Sequence, residues 1–214
     1  MAEPGICVRC AIRDDAEELS TFAAQVLWLG GRPGADPRDL AQYIAEELTT
    51  ECFRALIENP NAILFVAEMA GHICGYALVL RSSPHPHIEG VTPAELRKFY
   101  VAPTHHGRGL ADQLMRRALA SLERDRLAVV WLSVYSENPR AIAFYKKWGF
   151  HIVGSHEFLV GADRQQDFLM RRDPQLAPGK DLNEPEQHGS DPGDHDCRWR
   201  GSLPHLSEGN PGGT

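Results

Sequence analysis

The segment FYVAPTHHGRGLADQLMRRAL, residues 99–119, decides the fold of this chain. It leaves an extended apolar stretch, passes through a basic loop containing Gly107 and Gly109, and enters a helix at once. Leu110, Leu114, Met115, Ala118, Leu119 and Leu122 recur at helical spacing and form one apolar stripe. The first N–H groups of a helix lack intrahelical partners, and the helix dipole adds partial positive charge there. Gly107 and Gly109 remove side chains from the approach, while His106 and Arg108 add polar or positive groups. The amides from His106 to Ala111 are therefore expected to converge on a phosphate or diphosphate. Taken alone, the loop reads equally well as a tight strand-to-helix turn.

Two common phosphate motifs do not fit. A triphosphate-binding loop needs Lys and then Ser or Thr after its glycine, and GRGLADQ has neither. A dinucleotide fingerprint needs a third small residue where Asp112 stands.

A second constellation follows in SENPRAIAFYKKWGF, residues 136–150. Asn138 reads as a helix N-cap with Pro139 at the first helical position, and Gly149 reads as the terminator. Asn138 and Tyr145 stand about two helical turns apart, so both lie along one helix face.

The flanking chain supplies the remaining elements. ICVRCAIR alternates like a strand, and RDDAEELSTFAAQVL reads as a helix capped by Asp14 or Asp15. DPRDLAQYIAEEL opens with Asp36 as cap and Pro37 at the first helical position, and TTECFRALIENP reads as another helical segment, ended by Asn59-Pro60. AILFVAEM and HICGYALVL form a hairpin around Ala70-Gly71. AELRKFYV and LAVVWLSVY are further strands, and GFHIVGSHEFLV with RQQDFLMRR makes a terminal pair. The expected order is β-α-α-β-β-β-α-β-α-β-β.

From residue 175 the chain is rich in Pro, Gly and acids and nearly lacks aliphatic residues. It is expected to be a disordered tail, 175–214, behind a domain at 1–174. The formal charge is -7; three basic and seven acidic residues of the tail contribute -4, leaving -3 for the domain. That balance speaks against a nucleic-acid partner. No apolar run approaches membrane-spanning length and the N-terminus has no signal-peptide pattern, so neither a membrane partner nor export is expected, and the location should be cytoplasmic. The five cysteines are scattered in no disulfide framework, and Cys7 and Cys10 are expected as ordinary buried thiols. No ligand set for a metal is apparent.

The motifs RKFYVAPTHHGRGLADQLM and SENPRAIAFYKKWGF resemble those of the GNAT superfamily of N-acetyltransferases. The resemblance covers roughly residues 6–172. It implies the GNAT acyl-CoA N-acyltransferase fold, an α/β fold with a central, mixed, mostly antiparallel sheet flanked by helices. It implies acetyl-CoA as cosubstrate, with the diphosphate on His106, Gly107, Arg108, Gly109, Leu110 and Ala111. The family's loop begins with Gln or Arg where His106 stands. The pantetheine arm is implied to run beside Phe99, Tyr100 and Val101, where such sheets splay, with Asn138 touching the arm and Tyr145 near the sulfur.

Transfer to an amine requires a neutral nucleophile, yet alkyl amines have pKa values around 10. A base must take the proton, and the resemblance puts Glu95 at that position; an exposed strand-end charge is the competing reading. The Val101 N–H is the expected oxyanion donor. Tyr145 is the expected acid for the departing thiolate.

The ending GSHEFLVGADRQQDFLM resembles the bacterial spermidine/spermine branch of the family, through His156, Phe158, Gly161, Asp163, Gln165, Asp167 and Met170. Where that branch often carries Trp-Glu, this chain has Tyr135-Ser136. A primary amine, with a polyamine as the candidate, is therefore the expected acceptor. His85 and His87 could border its site. A homodimer is the oligomer that the family commonly forms. Two other readings stand beside this one: acetylation of a protein lysine or N-terminus, and a non-catalytic acyl-CoA-binding regulatory module.

Overall fold

β-branched and aromatic residues at alternating positions build seven strands: β1 (Cys7–Cys10), β2 (Ala62–Met69), β3 (His72–Leu80), β4 (Ala94–Val101), β5 (Val130–Tyr135), β6 (His151–Val160) and β7 (Asp163–Arg172). Five helices join them: α1 (Ala16–Gly30), α2 (Pro37–Glu47), α3 (Thr50–Glu58), α4 (Leu110–Arg124) and α5 (Pro139–Lys147). The computed structural model describes residues 5–30, 36–88, 93–124, 129–160 and 163–174. The tail assigned to 175–214 lies outside the described residues. Among the described residues no helix is long and apolar enough to cross a membrane, and no group of three or more His, Cys, Asp or Glu could hold a metal ion.

All seven strands join one sheet in the order β1-β2-β3-β4-β5-β7-β6. Only the β4–β5 ladder is parallel; the others are antiparallel. The mixed, mostly antiparallel sheet with flanking helices is the expected GNAT architecture. The hairpin turn also falls as expected, with Ala70 at φ 52 and Gly71 at φ 80.

The sheet buries both faces. On one, α4 lays Leu110, Leu114, Met115, Ala118, Leu119 and Leu122 against Phe65, Ala77, Leu96 and Leu132; all six stripe residues are buried. Removal of each large aliphatic from water contributes roughly 1.5–3 kcal/mol. On the other face, α1 and α3 cover β2 and β3, with Phe22 and Phe53 set edge-on to Tyr76 at 6.1 and 5.9 Å.

Four sequence expectations need correction. Three helices precede β2, one for each helical segment read in the sequence and one more than the expected element order counted; Thr49 caps α3 by accepting the Cys52 N–H at 3.1 Å. Asp15 precedes α1 but does not cap it. Its carboxylate instead accepts the Ile12 N–H at 2.7 Å and two Arg9 bonds at 2.6 and 2.8 Å. Burial alone would raise its pKa, but the Arg9 and Ile12 donors outweigh that and hold it below the usual carboxylate range. Cys7 is exposed rather than buried, and Cys10 is only half-buried.

Two irregularities shape the site. In the β3–β4 ladder Leu78 faces Lys98 and Val79 faces Leu96, so Arg97 is the extra residue of a bulge. The β4–β5 ladder holds only at Ala94–Val130 and Glu95–Trp131. Beyond that rung the two strands part, because β5 stays paired with β7 through Tyr135 while β4 stays paired with β3 through Val101.

Candidate active site

The gap between β4 and β5 is lined by backbone groups of β4. Ala102 N–H donates to the Cys74 carbonyl on β3 at 2.9 Å. Neighbouring residues of a strand point their N–H and C=O to opposite edges, so both polar groups of Val101 face the gap. The Val101 carbonyl accepts the Nε2–H of His106 at 3.1 Å. His106, standing where the family has Gln or Arg, thus pins the loop to the strand.

At the head of α4, Gly107 and Gly109 adopt φ values of +78 and +77. A side-chain residue there would cost about 1–2 kcal/mol. A Cβ built on either glycine meets nothing within 4 Å, so the space above the backbone is open. The first helical bond to close is Gln113 N–H to the Gly109 carbonyl at 3.0 Å. The amides ahead of it are available to an anion, and open space, free N–H donors and the helix dipole together suit a diphosphate. One member of the expected set drops out: the His106 N–H is spent on the Pro103 carbonyl at 3.2 Å. The N–H groups left open at the head of α4 are therefore those of Gly107, Arg108, Gly109, Leu110 and Ala111. Gly75 lets α4 approach β3, since a Cβ there would stand 3.0 Å from Leu110 and 3.1 Å from the Tyr100 carbonyl. Asp112, an acid in the first turn, accepts from Lys147 Nζ at 2.7 Å and Trp148 Nε1 at 3.2 Å, which ties α4 to α5.

Helix α5 delivers Tyr145. Asn138 caps it by accepting the Ala141 N–H at 3.0 Å, with Pro139 next in the chain. Its side-chain oxygen is thus committed to the helix, leaving its amide NH₂ for an outside group. The C-terminus closes in a Schellman motif: Gly149 N–H to Lys146 and Phe150 N–H to Tyr145, at 3.0 and 3.1 Å, with Gly149 at φ 85. The hydrophobic contact that accompanies this motif is the Tyr145–Phe150 pair, edge-on at 5.9 Å. Phe99 of β4 and Phe144 complete the ring cage at 6.4 and 5.7 Å. Tyr145 is half-buried, and burial, then Tyr100, push its phenol above the ordinary tyrosine range. Gly149→Ala is expected to cost about 1–2 kcal/mol in a denaturant melt, because the left-handed turn that seats Tyr145 becomes strained.

Side-chain direction divides β4. Ala94, Leu96, Phe99 and Val101 point toward α4 and α5. Glu95 points to the other face, where Trp131 is its partner on β5. Tyr100, counted with the cofactor strand, also turns away from α4. Its ring stacks on Tyr76 at 5.5 Å, and burial followed by the Tyr43 charge pushes its pKa up to about 12.

Glu95 is buried rather than an exposed strand-end charge. Its Oε2 accepts from Ser83 Oγ at 2.6 Å and from Arg97 at 3.1 and 2.7 Å. Ser83 in turn gives its carbonyl to Trp131 Nε1 at 2.7 Å. Around Trp131 gather His85 at 4.8 Å and, beyond it, His87 and His156 at 5.7 and 6.2 Å from His85. His156 reaches Ser133 Oγ at 3.3 Å and faces Asp167 across the β6–β7 ladder. Lys98 Nζ donates to Tyr43 Oη at 2.6 Å, joining α2 to this face. Of the terminal motif, Gly161 and the side chains of Phe158, Asp163 and Gln165 lie outside the described residues, and Met170 is core.

Ser83, Arg97 and Trp131 were not singled out in the sequence. An acid two residues before a base on one strand was a visible signal for Glu95–Arg97; nothing local announced Ser83.

A model described as the acetyltransferase (GNAT) family matches residues 34–150. An uncharacterized N-acetyltransferase of Mycobacterium tuberculosis is 33% identical over 159 residues, covering 74% of this chain and 97% of its own. The N-alpha-acetyltransferase RimI of the same organism is 27% identical over 168 residues, covering 78% and 92%. The PaiA N-acetyltransferase of Thermoplasma acidophilum, solved in complex with coenzyme A, superposes with a TM-score of 0.65 at 19% identity, covering 79% of this chain and 99% of that one. With the cradle, the parted strands and these likenesses in place, the chain belongs to the GNAT family of acetyl-CoA-dependent N-acetyltransferases.

Proposed function

We propose that this enzyme moves the acetyl group of acetyl-CoA to a small primary amine by direct attack through a tetrahedral intermediate. The observation that carries the proposal is the division of labour across β4: the phosphate cradle and Tyr145 lie on one face, and Glu95 on the other. The cradle amides and the Asn138 amide hold the cosubstrate along the gap. The Val101 N–H stabilises the oxyanion that develops on the acetyl carbonyl. Glu95 receives the proton of the incoming amine, through Oε1 and a water, because Oε2 is already occupied. Tyr145 donates to the departing sulfur; its raised pKa keeps it protonated throughout the working range. A unit spanning residues 1–174, a cytoplasmic setting and a homodimer belong to the same proposal.

The acceptor we favour is a polyamine. Support comes from the terminal-strand motif and from the face that carries Glu95, Trp131 and Asp167: two carboxylates beside an aromatic wall suit an ammonium group. Kinship with an N-alpha-acetyltransferase favours a second reading, in which the acceptor is a peptide's terminal amine. The deciding measurement is thiol release from acetyl-CoA with spermidine, spermine, diamines, aminoglycosides and peptides. Turnover with spermidine or spermine at least about tenfold above peptides is the expected result. Preference for peptides would replace the polyamine reading, and absence of thiol release with every amine would leave a binding module only.

A further inference from the structure

We propose that Arg172 and Asp112 are positioning residues for Tyr145: from opposite sides of Trp148 they fix the end of α5 and so hold the Tyr145 hydroxyl at the departing sulfur. The inference rests on the reading of Tyr145 as the proton donor. No hydrogen bond to that hydroxyl forms among the described residues, so whatever aims it acts through the helix that carries it.

That helix is short. It runs nine residues, and Tyr145 stands in its last turn. The Tyr145 carbonyl accepts the N–H groups of Trp148 and Phe150 at 3.0 and 3.1 Å, so both residues hang from the backbone that sets the phenol. Trp148 is then bound twice more. Its carbonyl accepts the Nε–H of Arg172 at 3.1 Å. Its indole Nε1–H donates to Asp112 Oδ1 at 3.2 Å, an oxygen that Lys147 Nζ also reaches at 2.7 Å. The turn lies against the arginine: a Cβ built on Gly149 would stand 3.9 Å from Arg172 Nε.

The two anchors belong to different parts of the fold. Arg172 of β7 faces Val130 of β5, which faces Ala94 of β4. It is therefore rooted on a rung where β4 and β5 still join. Asp112 lies in the first turn of α4, directly behind the amides open to the diphosphate. Trp148 thus gauges α5 against the closed end of the sheet and against the cradle at once. Arg172 is only 8% exposed. Burying a cation is costly unless its donors are met. A carbonyl at a helix C-terminus, where the dipole places partial negative charge, meets one of them. Misplacing a reacting group by about 1 Å can cost on the order of a hundredfold in rate, so loosening this end of α5 should be felt in kcat.

The test is Arg172→Met in the full chain, alone and combined with Tyr145→Phe, assayed by thiol release at saturating substrates. Alone, it should lower kcat about fivefold or more and leave KM for acetyl-CoA within about twofold. In the Tyr145→Phe background it should change kcat by less than about twofold, because the hydroxyl it aims is gone. Trp148→Phe deletes the N–H that Asp112 receives and keeps an aromatic ring. It should repeat the pattern with a loss of about threefold, and it decides the matter where Arg172→Met does not fold. A folded variant with wild-type kcat overturns the inference, as does a loss carried by KM for acetyl-CoA. Tyr145→Phe slowed about tenfold, with Arg172→Met costing the same factor in both backgrounds, overturns the positioning role alone. Tyr145→Phe that turns over like wild type overturns the acid reading and the positioning role with it.

Discussion

Tyr145→Phe should leave coenzyme affinity nearly unchanged while lowering turnover at least about tenfold. The substitution deletes one hydroxyl and keeps the ring that Phe99, Phe144 and Phe150 enclose. Packing against these rings, and with it the end of α5, should persist, so the melting temperature should move little. No hydrogen bond to the Tyr145 hydroxyl forms among the described residues, which leaves it free to serve the reacting sulfur. Calorimetric titration with coenzyme A would measure the first quantity, and thiol release the second. Equal turnover in the two proteins would reject the acid role. The pH profile adds a check. The phenol lies above the ordinary tyrosine range, so it remains protonated well past neutral pH. Any alkaline limb below about pH 10 should therefore be common to wild type and variant.

The second large effect belongs to the cradle. Gly109→Val should weaken coenzyme A binding by about a hundredfold, near 2.7 kcal/mol. Two costs combine. A β-branched residue at φ +77 strains the loop, and its side chain occupies the open space over the backbone. Each hydrogen bond from an amide to a charged phosphate oxygen contributes roughly 1.5–3 kcal/mol, so displacement by even a small distance is costly. Gly71→Val is the matched control: φ is again positive, at +80, and the space is again open, but the turn lies in the β2–β3 hairpin. It should strain the fold and leave coenzyme affinity within about threefold. Equal losses in both variants would mean that strain, not the cradle, is being measured.

Features set by local chemistry were legible in the sequence. Gly107 and Gly109 betrayed an open loop because they carry no side chain. Asn138-Pro139 and Asp36-Pro37 announced helix starts, and the stripe of α4 announced its buried face. Features set by pairing between distant segments were not. The bulge at Arg97 follows from the register of β4 against β3, which no short window contains. For Glu95 the sequence left a base and an exposed strand-end charge side by side, because its burial depends on Ser83 and Trp131, which lie 12 and 36 positions away in the chain. The three imidazoles meet only because β6 brings His156 back over the loop after β3. Asp15 looked like a cap and became an ion-pair partner because Arg9, one strand earlier, outcompeted the helix amides for it. The His106 amide was lost to the cradle through a single turn of 3-10 helix over Pro103–His105, too short to leave a periodic signal.

The placement of β7 has a consequence for biosynthesis. The last of the described strands, β7, is wedged between β5 and β6, so an emerging polypeptide cannot build this sheet in the order it is made. Until Arg172 clears the ribosome, β5 offers a bare edge of unpaired amides and carbonyls, and β6 has nothing to lie against. Arrival of β7 is thus the step that closes the sheet and brings Asp167 between Tyr135 and His156. A nascent chain stalled before that point would be prone to self-association.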